Sequence, residues 1–402
     1  MRINLFLKNL YENNTIQIII FFFLIILCCI KLNDSYSHLK KFKDKMFFED
    51  FYLQYDASKN YKIYFSAAAP DFRPYPPTTS LFYKIFTYLS YRKAALIFQT
   101  INLLLTSFII ITCFYLFTMR KIADLNFIII LGLLFFPLNE SIYLGQLNLL
   151  ILSSILLTLL IELYFNSQYK YCLIGLIIAF GASLKIFPLV ILAYYLLKKQ
   201  FAPIIYFLFF SILIVLATLL IFGYEVFDFY FKNIMPHTAN SWVILSIENQ
   251  SLLGLYSRIF GNKFQRGFTG IIYYPKLIKP LYFLSVLILI IWTWKIINKS
   301  HDTIYKFMIL IALGLLVFGL NWAHTFVLAF PIIIYIFYEL IKNKNYLYLI
   351  IWAAAFLLLS HYFDFRNTAI YGLQHLLTLP NYTGAVILMI IFNFIKIRNN
   401  LK

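Results

Sequence analysis

Continuous apolar runs, among them FFFLIILCCI at residues 21–30, INLLLTSFIIITCFYLF at 101–117 and FLSVLILIIW at 283–292, constrain this chain more than any other feature. Such runs are too many and too uniformly apolar to be the cores of soluble helices, and in lipid each must satisfy its own backbone hydrogen bonds. A membrane β-barrel would instead alternate apolar and polar residues over strands of roughly ten residues. The expected class is therefore an all-α, polytopic membrane protein, and the composition agrees: 62% hydrophobic residues, 12% charged residues and a mean hydropathy of +0.81 over 402 residues.

The net charge of +18 invites a nucleic-acid reading. The Lys and Arg residues, however, are scattered between apolar runs, which suits contact with lipid headgroups and predicts membrane lipid, with no nucleic acid, as the partner. Cys28, Cys29, Cys113 and Cys172 all fall in expected spans without metal-ligand spacing. The first apolar run lacks a small-residue cleavage site and reads as a retained signal anchor.

About twelve segments (ten to thirteen) are expected, near residues 15–32, 94–118, 125–138, 147–165, 171–184, 186–197, 201–222, 277–297, 304–320, 322–341, 346–361 and 382–396. Short basic connections carry Arg120 and Lys121, Lys198 and Lys199, Lys295, Lys299 and Lys306, and Lys342 and Lys344, and the tail carries Lys396, Arg398 and Lys402. The positive-inside rule assigns them, with both termini, to the cytoplasm. Long aromatic loops at about 33–93, 223–276 and 362–381 then face outward. This assignment requires a break between 171 and 197, where Ser183, Lys185 and Pro188 supply it. Pro76 and Pro77 stop what precedes them, and Thr78 or Thr79 is the expected cap of an amphipathic helix from Ser80, with Leu81, Phe82, Ile85, Phe86 and Leu89 on one face against the outer leaflet. Residues 1–402 read as one domain.

Rare polar residues gather at the outward ends of these spans. Asp50, Arg73 and Tyr75 lie in the first outer loop, and Glu140, Gln146 and Asn148 surround the turn NESIYLGQLN. Asn249, Gln250 and Ser251 close the second outer loop, and Trp322 and His324 open a late span. Lys185, inside SLKIFPLV, must snorkel, pair or bind an anion such as a lipid phosphate. Each of these residues also has a plain structural reading: a solvated interface for Asp50, interhelical hydrogen bonds for Gln146 and Asn148, a helix cap for Ser251 and an aromatic anchor for Trp322.

In order along the chain, these pieces resemble glycosyltransferase family 87, the polyprenol-phosphate-dependent hexosyltransferases. The matching elements are Asp50-Phe51 with Tyr52 and Tyr55; Tyr75-Pro76-Pro77; Gly145-Gln146 with Asn148; Lys185 with Pro188; Asn249-Gln250-Ser251; and Trp322 with His324. Family members often carry two adjacent histidines at the last element, where this chain has His324-Thr325. The resemblance covers about residues 15–360. It implies a GT-C type bundle in the cell membrane with an outward-facing site, a polyprenyl-phosphate sugar as donor substrate, mannose foremost, and a glycolipid or glycan as acceptor. It also implies the roles: Asp50 as general base of an inverting transfer, Lys185 and His324 at the donor phosphate, and Arg73, Tyr75, Gln146, Asn148, Asn249, Gln250 and Trp322 around the substrates. A monophosphate leaving group does not demand a metal, so neither metal nor cofactor is expected. A transporter or flippase of a lipid-linked or anionic substrate, and a glycan ligase or polymerase, are the competing readings.

Overall fold

The computed structural model describes residues 11–41, 48–64, 75–236, 244, 249–261, 273–298, 300–360 and 380–399. Among them regular structure is helical, apart from one isolated antiparallel bridge between Asn249 and Trp322. Arg73, residues 237–243, 245–248 and 262–272 of the second outer loop, and residues 361–379 lie outside the described residues.

Four described helices are long and apolar enough to cross a membrane: Tyr91–Phe117, Ala202–Phe222, Pro275–Ile297 and Ala323–Lys342. A fifth crossing is made if the pair Ile122–Leu134 and Phe136–Leu144, bent by 62°, counts as one span. The protein is thus a multi-pass membrane protein. The other apolar helices have 10–17 described residues, including Asn148–Tyr164, Lys170–Leu184, Thr303–Val317 and Tyr346–Leu359. At 1.5 Å per residue a 15-residue helix reaches only about 22 Å, short of a hydrocarbon core of about 30 Å, so these elements fill the bundle or enter it part-way.

Prolines set most of the breaks. Pro137 cannot donate to the carbonyl of Leu133, so the helix after Ile122 stops at Leu134 and restarts at Phe136. The Asn139 side chain compensates, donating Nδ2 to the carbonyls of Leu133 (3.1 Å) and Phe135 (3.0 Å). The expected loop from Glu140 onward is therefore helix as far as Leu144, and only residues 145–147 turn. Lys185 is extended (φ −157°, ψ 138°) between the helix ending at Leu184 and a 3-10 turn over Phe187–Ile191 that contains Pro188, which is the expected break. Pro331 likewise sits in the first turn of the helix Phe330–Lys342, behind a 3-10 turn over Ala323–Ala329.

Burial separates core from periphery. Thr303–Val317 and Ala323–Lys342 are buried over most of their length, whereas Ala202–Phe222 fully buries only Pro203, Thr218 and Phe222, packs one side closely on Gly175 of Lys170–Leu184, and exposes Leu208, Ile212 and Leu220 among others. The helix expected from Ser80 starts instead at Pro77, with Pro76 as a cap that makes no side-chain bond. Thr78 and Thr79 are not caps: their hydroxyls donate to the carbonyls of Ser183 (2.6 Å) and Leu184 (3.0 Å), tying this helix to the Lys185 break. The expected apolar face is divided, for Phe86 is buried whereas Ile85 and Leu89 are exposed.

Candidate active site

The site begins at Phe48. Its backbone is left-handed (φ 63°, ψ 27°), and its N–H donates to the Tyr143 carbonyl at 3.0 Å. A non-glycine residue in that conformation costs about 1 kcal/mol or more. The buried rings of Phe48, Phe51, Tyr55, Tyr83, Phe86 and Phe98 offset it by locking the short helix Glu49–Lys59 in place. Asp50 lies in the first turn of that helix, where a carboxylate suits the helix dipole.

Gly145 makes the close approach possible. It ends the helix Phe136–Leu144 in the left-handed region (φ +68°), and a Cβ there would stand 2.8 Å from the Phe51 Cβ. With no side chain in the way, the Asp50 helix packs directly on the turn that carries Gln146. Gln146 donates Nε2 to Asp50 Oδ2, while the Tyr75 hydroxyl donates to Gln146 Oε1 at 3.2 Å. Burial raises the Asp50 pKa to about 6; the Glu49 charge pushes the same way, and the Gln146 hydrogen bond and the Lys185 ammonium oppose it. Burial, and then the Asp50 charge, push the Tyr75 phenol up, so it remains a donor.

Two residues after Gln146, Asn148 opens the next helix and faces Lys185. The Lys185 Nζ donates to Asn148 Oδ1 at 3.0 Å and to Thr325 Oγ1 at 3.3 Å. The Gln-x-Asn spacing thus joins a carboxylate to an ammonium through two neutral amides. His324, buried beside Thr325, accepts the Ser141 hydroxyl on its carbonyl at 3.0 Å and holds its ring 6.0 Å from that of Trp322.

Asn249 and Ser251 serve a different purpose. Asn249 Nδ2 donates to the carbonyls of Ile244 (3.0 Å) and Gly319 (3.2 Å), and its Oδ1 accepts the Asn321 N–H (3.1 Å). The Gln250 N–H donates to the Asn321 carbonyl at 2.7 Å. Ser251 caps its helix, accepting the Gly254 N–H at 3.0 Å, and donates to the Gly319 carbonyl at 2.7 Å. Together they clasp the strand-like stretch that presents Trp322, and the Asn249 side chain, expected at the substrate, makes three hydrogen bonds within that clasp. Thr325 was missed in the sequence. Its sole signal there was that it occupies the place where the resembling family often has a second histidine.

The family model for glycosyltransferase family 87 matches residues 74–319. The chain belongs to glycosyltransferase family 87. A polyprenol-phosphate-mannose-dependent alpha-(1-2)-phosphatidylinositol pentamannoside mannosyltransferase of Mycobacterium tuberculosis is 26% identical over 204 residues, half of this chain and 42% of the relative, so the match spans less than half of that relative's length. No solved structure matches. The family 87 match takes in Tyr75, Gln146, Asn148 and Lys185 and leaves Asp50 before it and Trp322, His324 and Thr325 beyond it. The fold nevertheless brings Asp50 onto Gln146 and Thr325 onto Lys185, joining residues outside the match to the family's own segment.

Proposed function

We propose that this glycosyltransferase moves a hexose, mannose in the first instance, from a polyprenyl-phosphate sugar to a glycolipid or glycan acceptor at the outer face of the cell membrane, with inversion. The observation that carries the reading is the bonded sequence Asp50, Gln146, then Asn148 and Lys185, a fixed base and a fixed cation on either side of one short turn. The name of the mycobacterial relative supplies the donor class.

Asp50 takes the proton of the acceptor hydroxyl as its oxygen bonds to the anomeric carbon. The bond from that carbon to the phosphate oxygen breaks on the opposite face, and the polyprenyl phosphate leaves with the electron pair. Lys185, two of whose three hydrogens are committed to Asn148 and Thr325, has a third to offer the leaving phosphate, with His324 beside it. Tyr75 and Gln146 orient the base, and Arg73, Gln250 and Trp322 belong to the substrate surface. A monophosphate leaving group does not demand a metal, and the proposed reaction uses no cofactor. The basic connections and both termini lie in the cytoplasm.

Purified protein in lipid, supplied with a panel of polyprenyl-phosphate sugars and extracted glycolipid acceptors, tests this reading. Wild type transfers a hexose, and Asp50→Asn loses roughly 10²- to 10⁴-fold in kcat/KM. Equal transfer by both removes Asp50 from the chemistry. No transfer from any monophosphate donor by well-folded wild type defeats the proposal and returns the flippase and ligase readings.

A further inference from the structure

Gln99 and Asn102 stand three residues apart on the Tyr91–Phe117 helix and share a face. Both are sealed, with 0% and 1% of their surfaces exposed. Among the described residues, all four polar atoms of these two carboxamides lack a hydrogen-bond partner. Burying even one amide unpaired costs about 2 kcal/mol or more, and apolar side chains fill the neighbouring positions at no such cost.

Two contacts fix their depth. At one end the Phe98 ring packs 4.7 Å from Phe51, which itself lies against Gly145. At the other, the Tyr115 ring stands 6.0 Å from that of Tyr164. The helices Tyr91–Phe117 and Asn148–Tyr164 therefore run in the same direction, with Phe98 toward the Gly145 end and Tyr115 beside Tyr164 at the other. Gln99 and Asn102, within about one turn of Phe98, therefore lie toward the Asp50–Gly145 end of the bundle, where Asn148 begins its helix. A third amide lies at this end: the Nδ2 of fully buried Asn148 has no partner among the described residues, although its Oδ1 holds Lys185.

We propose that Gln99 and Asn102, with the Nδ2 of Asn148, form a buried site for neutral hydroxyl groups adjoining the Asp50–Lys185 cluster. A primary amide offers two N–H donors and a carbonyl acceptor, so the lining mixes both kinds in one place. A hydroxyl both donates and accepts and satisfies such a lining, whereas a phosphate oxygen only accepts and an ammonium only donates. Hydroxyls have two sources here: the ring of the transferred hexose, or water. The hexose source rests on the function proposed above, and the water source does not.

The test uses full-length protein in lipid nanodiscs, with Gln99→Met and Asn102→Leu made singly and together, all near-isosteric and unable to replace the amides. Melting is followed alone, with a polyprenyl-phosphate hexose and with polyprenyl phosphate lacking the sugar, and donor KM and kcat are measured beside it. If the site holds the hexose, the variants lose most of the extra rise in Tm that the sugar gives over bare polyprenyl phosphate. Donor KM then rises on the order of tenfold, as expected for one ordinary hydrogen bond lost, while kcat changes less. If it holds water, the variants melt below wild type by the same margin with and without donor, and KM is unchanged. Variants that melt at or above wild type and keep the full donor response overturn the site. The single substitutions keep the comparison readable if the double variant does not accumulate. Wild type unresponsive to every donor tells against the proposed function, while the donor-free melting comparison still decides whether the amides hold a ligand.

Discussion

Asp50 is held in a state that is useful to chemistry and costly to the fold. Its carboxyl titrates near 6, raised from 3.8 chiefly by burial. The proposed base works ionised, so kcat/KM should climb about tenfold per pH unit below 6 and level off above it, measured with a donor whose own ionisation is constant over that range. The same shift sets the sign of the stability effect. The folded carboxyl binds its proton more tightly than the unfolded one, so stability is greatest below about 4 and falls as pH rises through 6. At pH 7.5 the loss is on the order of 3 kcal/mol. Asp50→Asn keeps the side chain's shape and carries no charge, so at pH 7.5 it should melt higher than wild type while being nearly inactive, and the two should converge at pH 4. A lower Tm for the variant at pH 7.5 would show that Asp50 is held mainly by stabilising contacts. Thr325 is the other residue that sets the site's charge, as one of two oxygens that accept from the Lys185 ammonium. Thr325→Val should lower kcat with little change in Tm, and Thr325→Ser should restore it, because only the hydroxyl is needed.

At the level of elements, the site depends on short stretches that pack backbone against backbone. Gly145→Ala forces a Cβ into Phe51 at a left-handed position, which costs about 1–3 kcal/mol and pushes the Asp50 helix off its turn. Transfer should fall further than the folded fraction does when both are measured on the same preparation. Asn249→Ala behaves oppositely. It removes three hydrogen bonds from the clasp that presents Trp322, so Tm should fall by an amount corresponding to about 2 kcal/mol or more, while donor KM in the folded fraction stays near wild type. A specific rise in KM would return Asn249 to the substrate. These elements also show what sequence reading reaches. Gln146 and Asn148 were legible because polar residues beside apolar runs are few, and the break at Lys185 because Pro188 advertises it. The roles of Thr78 and Thr79 were not legible: the same hydroxyls that suit a local cap serve a contact more than a hundred residues away. Nor was the helix through Glu140 legible, because Asn139 repairs the proline break with a side-chain bond that no periodicity reveals.

Over the whole molecule, charge and chemistry divide between the two ends of the bundle. Glu162 is gripped at one end by Lys170 (3.4 Å) and Lys198 (3.2 Å), with the Tyr194 hydroxyl donating to it at 3.2 Å. Asp50, Gln146 and Lys185 gather at the other end of the helices Asn148–Tyr164 and Lys170–Leu184. In the proposed function a polyprenyl-phosphate sugar presented at the outer leaflet would meet the second group, and the positive-inside rule would draw the first toward the cytoplasm. Exposed Tyr52 beside the site and exposed Lys344 in a basic turn are therefore expected to report opposite sides of the membrane. In a background with Cys28, Cys29, Cys113 and Cys172 replaced, Tyr52→Cys should react with an impermeant maleimide on intact cells, and Lys344→Cys only after the membrane is opened. The reverse pattern would put the Asp50 cluster on the cytoplasmic side and require a donor sugar presented there. Labelling of both on intact cells would break the parity of crossings on which the outward-facing site depends, and the pairing of Lys185 with a break instead of a full span would then need to be redrawn.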